Sequence, residues 1–357
     1  MSYDPNYAVV EESDRTCDSV IGGVALASVK SILHRINIQF EEGLHKDAYT
    51  AALADALDQN RELIVEMLPE SVLDFLLDVW EAGELEIDDL DWDYLQYLRL
   101  FGLADFKRGN PLGNENNIIY SITQAKDRFY FYLKSRKTKK VIEEFERWEG
   151  VVTGLIYYYG LIDEGSLYRQ FLTSAKVVIP EEEFAKFVKC RVSLWPIIIF
   201  LKDGSGRDFV QYVNVDNPEI TLLYIREHKD LLYKNVSESD LFYIYENGGI
   251  DNRWKGITEL SNLLLDEMNM DYYKTTVLVH TVISMIQNSC ELSEVRGRLS
   301  EISSNDEALK NKLYSAAELL YYNIPIFEFK GHTRLQYQKM QKNHKESEKY
   351  RNFKLIK

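Results

Sequence analysis

The chain has 357 residues, enough for two or three domains, and 45% of them are hydrophobic, which excludes a disordered protein. With only 18 Gly and 7 Pro, the chain has too few turn-forming residues for an all-β architecture. The formal net charge of −15 excludes a general attraction to nucleic acid or anionic membranes, unless the basic residues are gathered in one place.

Cysteine and histidine usage predicts a reducing compartment and no metal site. Cys17, Cys190 and Cys290 are widely separated and form no C-x-x-C pair, and none of the six histidines stands at ligand spacing. We therefore expect no disulfide, no bound metal and no cofactor. The N-terminal residues lack a basic stretch, and the longest uncharged run is too short to span a bilayer, so we expect a cytoplasmic protein that enters no membrane.

The first 120 residues predict helices followed by a hairpin. Apolar residues recur at helical spacing over 24–36 and 44–57, which we assign to an N-terminal helical element. Pro69 and Glu70 mark the start of the next helix, and a further helical stripe ends at Gly102. Two short strand-like runs follow around a loop rich in Gly and Asn, at residues 103–106 and 118–122.

The same order then appears a second time. A long helix runs from about residue 138 to 159, Asp163 caps a short helix, and Pro180 opens a third at 181–189. Strand-like runs at 197–201 and 209–215 are joined across an Asp-Gly-Ser-Gly turn. Beyond Asn217 the pattern is helical throughout and predicts five or six packed helices.

This repeated order of helices and a hairpin resembles that of winged-helix domains. We therefore predict an α+β, mainly helical fold, with two winged-helix-like modules followed by a helical domain. The predicted segments are an N-terminal helical element (1–59), winged-helix-like module 1 (60–136), winged-helix-like module 2 (137–216), a helical domain (217–327) and a basic C-terminal tail (328–357).

A second resemblance covers only residues 323–333, which read Asn-Ile-Pro-Ile-Phe-Glu-Phe-Lys-Gly-His-Thr. This segment resembles the N-x-P-x-aromatic-x-x-K-G-[aromatic/His]-[ST] stretch of uncharacterised Gram-positive bacterial proteins, some of which carry a C-terminal SEC-C zinc motif. The cysteine-rich zinc motif is missing here, since the last cysteine is Cys290. The resemblance implies a family without an established reaction.

A scan for catalytic motifs finds none. The sequence contains no phosphate-binding loop, no H-E-x-x-H, no G-x-S-x-G and no Rossmann glycine fingerprint after a strand. A run of carboxylates lacks the glycine-enabled turn of a calcium loop, so we interpret it as a solvated inter-helix loop. Its members are Glu81, Glu84, Glu86, Asp88, Asp89, Asp91 and Asp93.

Two basic segments are candidates for nucleic-acid binding. The first, between the two modules, follows an aromatic stretch that can stack on bases; its alternative is a solvated linker. The second is the tail, where nine Lys or Arg face three Glu while the rest of the chain carries a net −21; its alternative is a polar tail folded back on the acidic body. The candidate residues are Lys134, Arg136, Lys137, Lys139, Lys140, Lys330, Arg334, Lys339, Lys342 and Lys345.

These observations favour a non-enzymatic regulatory or protein-interaction protein with a protein partner. The alternative is a nucleic-acid-binding, transcription-regulator-like protein that uses a third helix together with the basic segments. The predicted helix at 181–189 begins with three Glu, and many groove-binding helices present this end to bases, which weakens the alternative. An enzyme whose site is built from distant residues, and the oligomeric state, are left open.

Overall fold

A computed structural model describes residues 16–41, 43–87, 92–107, 109, 116–192, 197–303 and 306–343. Contacts group the chain into two compact units. Unit 1 combines Met1–Glu149 with Glu182–Leu194, and unit 2 combines Gly150–Glu181 with Trp195–Lys357. Among the described residues, no helix has the length and apolar character needed to cross a membrane. The finer division into five segments stays a prediction.

The elements up to residue 159 are helices with one small sheet. In chain order they are α1 (Cys17–Gly22), α2 (Leu26–Arg35), α3 (Lys46–Gln59), α4 (Glu62–Met67), α5 (Glu70–Ala82), β1 (Glu84–Ile87), α6 (Trp92–Leu100), β2 (Ala104–Lys107), β3 (Asn117–Ser121), α7 (Thr123–Leu133) and α8 (Arg136–Tyr159).

The rest of the described chain repeats the pattern and then becomes helical. Its elements are β4 (Leu161–Asp163), α9 (Glu164–Ala175), α10 (Glu181–Cys190), β5 (Ile198–Lys202), β6 (Asp208–Tyr212), α11 (Pro218–Glu227), α12 (Glu238–Glu246), α13 (Ile257–Asn262), a π-helical turn (Leu263–Glu267), α14 (Tyr272–Gln287), α15 (Leu292–Ile302) and α16 (Glu307–Asn323). Residues 334–343 are also helical. The α+β, mainly helical class is thereby confirmed.

The sheet of unit 1 is antiparallel, in the order β1–β3–β2. The predicted β2–β3 hairpin is confirmed to within a residue or two at its ends. The interpretation of the acidic run as an inter-helix loop is wrong for Glu81, which lies in α5, for Asp93, which lies in α6, and for Glu84 and Glu86, which lie in β1. Glu84 and Glu86 are exposed, whereas Ile87 is buried. Polar and apolar side chains thus alternate along β1, and the apolar ones pack against the core. Asp88, Asp89 and Asp91 lie outside the described residues.

The sheet of unit 2 has the equivalent order, β4–β6–β5. Ile198 to Lys202 pair with Tyr212 to Asp208, so the predicted hairpin is confirmed, as is the helix just before it in the sequence. The third strand, β4, has only three residues, too few to show a period, and was not predicted.

Glycine ends the helix that leads into each sheet. Gly102 follows α6 with φ +63°, and Gly160 follows α8 with φ +69°, a left-handed conformation that costs glycine least. At Gly102 a Cβ would lie 2.9 Å from the Cys17 carbonyl oxygen, so a larger residue is excluded sterically as well. The repeated aromatic-Gly-Leu sequence at these two positions reflects the same helix-to-strand turn.

Side-chain caps explain several helix boundaries, and the predicted cap at Asp163 is confirmed. Asp163, Asn217 and Ser237 each accept a hydrogen bond from a first-turn amide of α9, α11 and α12. In contrast, α7 was not predicted, because no element was assigned between the first hairpin and the long helix. The structure is helical on both sides of Lys134, so the alternative of a solvated linker is wrong.

Candidate functional site

The basic segment of residues 134–140 lies at the junction between α7 and α8, in unit 1. Lys134 caps the C-terminus of α7, donating its amide to the Tyr130 carbonyl at 3.1 Å. Its ammonium group pairs with Glu81 and lies 2.7 Å from the Tyr130 hydroxyl. The hydrogen bond from Lys134 holds the pKa of the Glu81 carboxyl below its usual value. One of the five cations is therefore paired on the surface.

The remaining cations of this segment stand where a helix least favours them. Arg136, Lys137 and Lys139 occupy the first turn of α8, which contains no acidic residue, and Lys140 follows directly. The helix dipole presents partial positive charge at this end, so these side chains raise the local potential instead of compensating it. All are exposed, and one turn earlier the Phe131 ring is 82% exposed. We name Phe131 and the cations at 134–140 the basic surface.

Two of the predicted tail cations are not on the surface. Lys330 is 7% exposed, and its ammonium donates to the carbonyls of His228 and Leu231, each at 2.8 Å. Arg334 is 9% exposed, with its guanidinium 3.8 Å from the ring centre of Tyr321. Burial lowers the pKa of both groups. The prediction that these two residues are available to phosphates is therefore wrong.

The other tail candidates differ from these two. Lys339 and Lys342 are exposed on the helical stretch 334–343, in unit 2, and Lys345 lies outside the described residues. The described tail is thus split between buried structural cations and exposed ones. Because the two basic segments belong to different units, we treat each as a separate surface.

The segment 323–333 has a structural role. Pro325 forms an isolated β-bridge with Thr333, and the Ile326 amide donates to the His332 carbonyl at 3.1 Å. Phe327 is 1% exposed and lies against Gly160, where a Cβ would overlap its ring. The segment is a closed loop that anchors the last helical stretch to unit 2.

The third helices of the two winged-helix-like modules are α6 and α10, and both bury apolar side chains in unit 1. On α10, Phe184, Phe187 and Val188 are buried, and Lys186 pairs with Glu66 at 2.7 Å, both within unit 1. On α6, every side chain that the structure describes is buried: Leu95, Tyr97, Leu98, Arg99 and Leu100. The exposed side chains at the start of α10 are Glu181, Glu182 and Glu183, and carboxylates at this end disfavour insertion into a groove of DNA.

Arg191, at the end of α10, is buried in an ion network of unit 1. Its guanidinium pairs with the fully buried Glu149, and with Glu146 at 2.7 Å. It also donates to the carbonyls of Val65 and Leu68, at 3.1 and 3.0 Å. All three guanidinium nitrogens donate hydrogen bonds to protein oxygen atoms. This cation therefore stabilises the fold and leaves no site for a phosphate.

Unit 2 exposes an apolar surface that sequence reasoning missed. Helix α11 packs Leu222 and Ile225 against Leu161 and Phe209 of the sheet. Its opposite side exposes large apolar side chains at i, i+3 and i+4, namely Ile220 (50%), Leu223 (55%) and Tyr224 (38%). We name these three residues the α11 outer face. The sequence did contain a signal for this surface, because α11 has ten residues and is apolar on both sides. A helix packs only one side against its core, so the other apolar side is left exposed.

The charged residues around this face are mostly acidic. Asp216, Glu219 and Glu227 are exposed in and beside α11. The neighbouring Lys229 and Asp230 carry opposite charges and add nothing to the net charge. Arg226 is neutralised by Asp203 of the β5–β6 turn. The face is therefore apolar with an acidic margin, which fits an apolar segment flanked by Lys or Arg.

The cysteines do not form a reactive centre. Burial raises the pKa of the Cys17 and Cys190 thiols to about 11, so at neutral pH they are thiols and poor nucleophiles. Where the chain is described, no group of three or more His, Cys, Asp or Glu is arranged to hold a metal ion.

The chain matches no protein-family model, no curated protein and no solved structure.

Proposed function

We propose that this chain is a non-enzymatic regulatory or interaction protein that binds a protein partner through the α11 outer face. The observation that carries the proposal is the exposure of Ile220, Leu223 and Tyr224 on one side of a helix whose other side is already packed. A soluble protein seldom leaves neighbouring large apolar side chains in water without a use for them. The partner we infer is an amphipathic segment with an apolar stripe flanked by basic residues.

The winged-helix-like interpretation of the two modules is part of this proposal. Each module presents helices and then a hairpin, with the strand order first, third, second. In such modules the third helix often reads DNA, but here α6 buries every side chain that the structure describes, and α10 buries Phe184, Phe187 and Val188. Modules of this kind also serve protein contacts, and the packing of these helices supports that use.

The test compares two charge substitutions in the full chain. We expect Leu223→Glu to weaken binding of a synthetic helical peptide with a leucine stripe flanked by lysines at least about tenfold, because a carboxylate would be buried in the contact. Val178→Glu is the matched control, since Val178 is 98% exposed in the same unit and lies outside the face. Fluorescence anisotropy gives the affinities.

Two results contradict the proposal. One is equal binding of the striped peptide and of a peptide with the same residues in scrambled order. The other is capture of the same proteins from a nuclease-treated lysate by wild type and by Leu223→Glu. Far-UV circular dichroism of both variants establishes that the fold is retained.

A second candidate function, binding of a polyanion such as single-stranded nucleic acid, is favoured by the basic surface. Its specific support is the exposed Phe131 ring beside cations that the helix dipole disfavours. Aromatic stacking with nearby cations is how sequence-tolerant single-strand binders work. The acidic net charge of −15 opposes this function, so we place it second.

A further inference from the structure

Strand β5 is the outer strand of the unit 2 sheet. In the described chain the sheet order is β4–β6–β5, so one side of β5 pairs with β6 and the other side ends the sheet. Ile199 is 41% exposed and Phe200 is 37% exposed. Because successive side chains point to opposite faces, these two rows of apolar surface flank the edge on both faces.

The hydrogen-bond alternation shows which backbone groups face outward. The Val213 amide donates to the Ile197 carbonyl at 2.8 Å, and the Asp203 amide donates to the Arg207 carbonyl at 2.9 Å. In an antiparallel pair, bonded positions alternate, so Ile199 also uses its backbone groups toward β6. The N–H and C=O groups of Ile198, Phe200 and Lys202 therefore point away from the sheet.

The middle of this edge lacks the usual protection against pairing. Natural edge strands carry charges, prolines or bulges that prevent a further strand from adding. Residues 197–201 read Ile-Ile-Ile-Phe-Leu and contain none of these, while Pro196 precedes the run in the sequence and Lys202 ends the strand. The nearest charge, Lys202, pairs with Asp208 of the adjacent strand at 3.1 Å.

We propose that β5 pairs with β5 of a second copy of this chain, antiparallel, with a two-fold axis at Phe200. This surface is distinct from the α11 outer face, and the proposal goes beyond the function argued above. In this register Phe200 lies opposite the same residue of the second copy, and Ile198 lies opposite Lys202. The outward N–H and C=O groups of these three positions then each form one hydrogen bond with the second copy. The two three-stranded sheets become one continuous six-stranded sheet.

The chemistry of the edge favours a second copy over an unrelated peptide. With the axis at Phe200, Ile199 meets Leu201 of the second copy on one face, and the two Phe200 rings meet on the other. Lys202 faces an isoleucine, so no two like charges lie opposite each other, which would destabilise the pair. The strand is therefore complementary to itself, as an isologous interface requires.

The register makes a specific prediction about charge at position 200. Phe200→Lys and Phe200→Glu each place two like charges opposite each other, so each variant should weaken self-association at least about tenfold. A mixture of the two variants places Lys opposite Glu and should restore the dimer as a mixed pair. Sedimentation equilibrium over a range of protein concentrations measures all three, with Val178→Lys as the control, since Val178 is 98% exposed outside the edge.

The proposal is supported by a wild-type dimer, two weakened variants and recovery in the mixture. It is overturned if wild type remains monomeric up to about 100 µM, the weak end of specific association. It is also overturned if the variants dimerise normally, or if the folded variants fail to recover when mixed. Peptide binding at the α11 outer face should persist in the position-200 variants, so failure here and failure of the proposed function are distinguishable.

Discussion

Arg191 shows how burial decides the role of a charged residue. In the sequence it follows a helix that carries three Glu and two Lys. In the structure it is 1% exposed and joins α4, α8 and α10 through two carboxylates and two carbonyls. A buried ion pair contributes little net stability, but losing one partner leaves a charge uncompensated.

We therefore expect Arg191→Met to lower the free energy of unfolding by about 3–5 kcal/mol, because Glu149 would remain buried without its partner. The measurement is urea unfolding followed by circular dichroism. Arg298→Met is the control, since Arg298 pairs with Glu301 at 2.7 Å on the surface, and its loss should cost less than about 1 kcal/mol. Equal effects of the two substitutions would show that the Arg191 network is not what holds these helices.

At the scale of elements, the β5–β6 hairpin depends on the carboxylate of Asp203. Its Oδ1 accepts hydrogen bonds from the Ser205 hydroxyl at 2.6 Å and from the amides of Ser205 and Arg207, at 2.8 and 3.0 Å. These bonds, the Ser205 hydroxyl first, hold the pKa of Asp203 below its usual range. The turn is thus fastened by an ionised group and its stability depends on pH.

The sign of this dependence follows from the lowered pKa. The ionised carboxylate stabilises the folded state above the pKa of about 4 that an aspartate has in the unfolded chain, and this contribution is lost as the pH falls toward the folded value. We expect Asp203→Asn to be less stable than wild type at pH 7, and the difference to shrink below about pH 4. Thermal unfolding across this pH range is the measurement.

Asp208→Asn, on the same hairpin, is the control, since its carboxylate pairs with the exposed Lys202. We expect a smaller loss at pH 7 from this surface pair. A difference in thermal stability between wild type and Asp203→Asn that stays constant from pH 7 to about pH 3 would contradict the role given to the carboxylate.

Element prediction succeeded where the signal was local. The predicted cap at Asp163 acts through a side chain three residues from the amide it satisfies, and Asn217 and Ser237 cap with the same spacing, so the sequence alone contains the argument. Strand β1 was missed although Glu84 to Ile87 alternate polar and apolar, because four residues give too short a period. Helix α7 was missed because its exposed aromatic and basic residues are typical of a surface segment.

At the scale of the whole molecule, charge decides between the two candidate functions. The net charge of −15 repels a polyanion, while the basic surface attracts it locally. If the four cations at 136–140 each neutralise one duplex phosphate, affinity should fall with salt with a logarithmic slope of about −3.6. Because the acidic body opposes approach, we expect only weak binding, with a dissociation constant above about 1 µM at physiological salt.

A salt titration of binding to mixed-sequence DNA and RNA is the measurement. Neutralising Lys137, Lys139 and Lys140 to Gln should flatten the slope, whereas the control Lys339→Gln with Lys342→Gln tests the exposed tail without touching the buried Lys330. Submicromolar affinity at physiological salt, lost when the basic surface is neutralised, would make nucleic-acid binding the primary function. Phe131→Ala would then show whether bases stack on the exposed ring.

The sequence by itself determined the class of fold, both predicted hairpins, the helix starts at residues 70, 164 and 181, and the position of the basic surface, since these depend on neighbouring residues. Tertiary structure alone decided which charged groups are available. The carbonyls that bind Lys330 lie 102 and 99 residues earlier, and those that bind Arg191 lie 126 and 123 residues earlier. It also decided that α11 leaves one apolar side uncovered. Burial is set by contacts between distant parts of the chain, which local pattern does not encode.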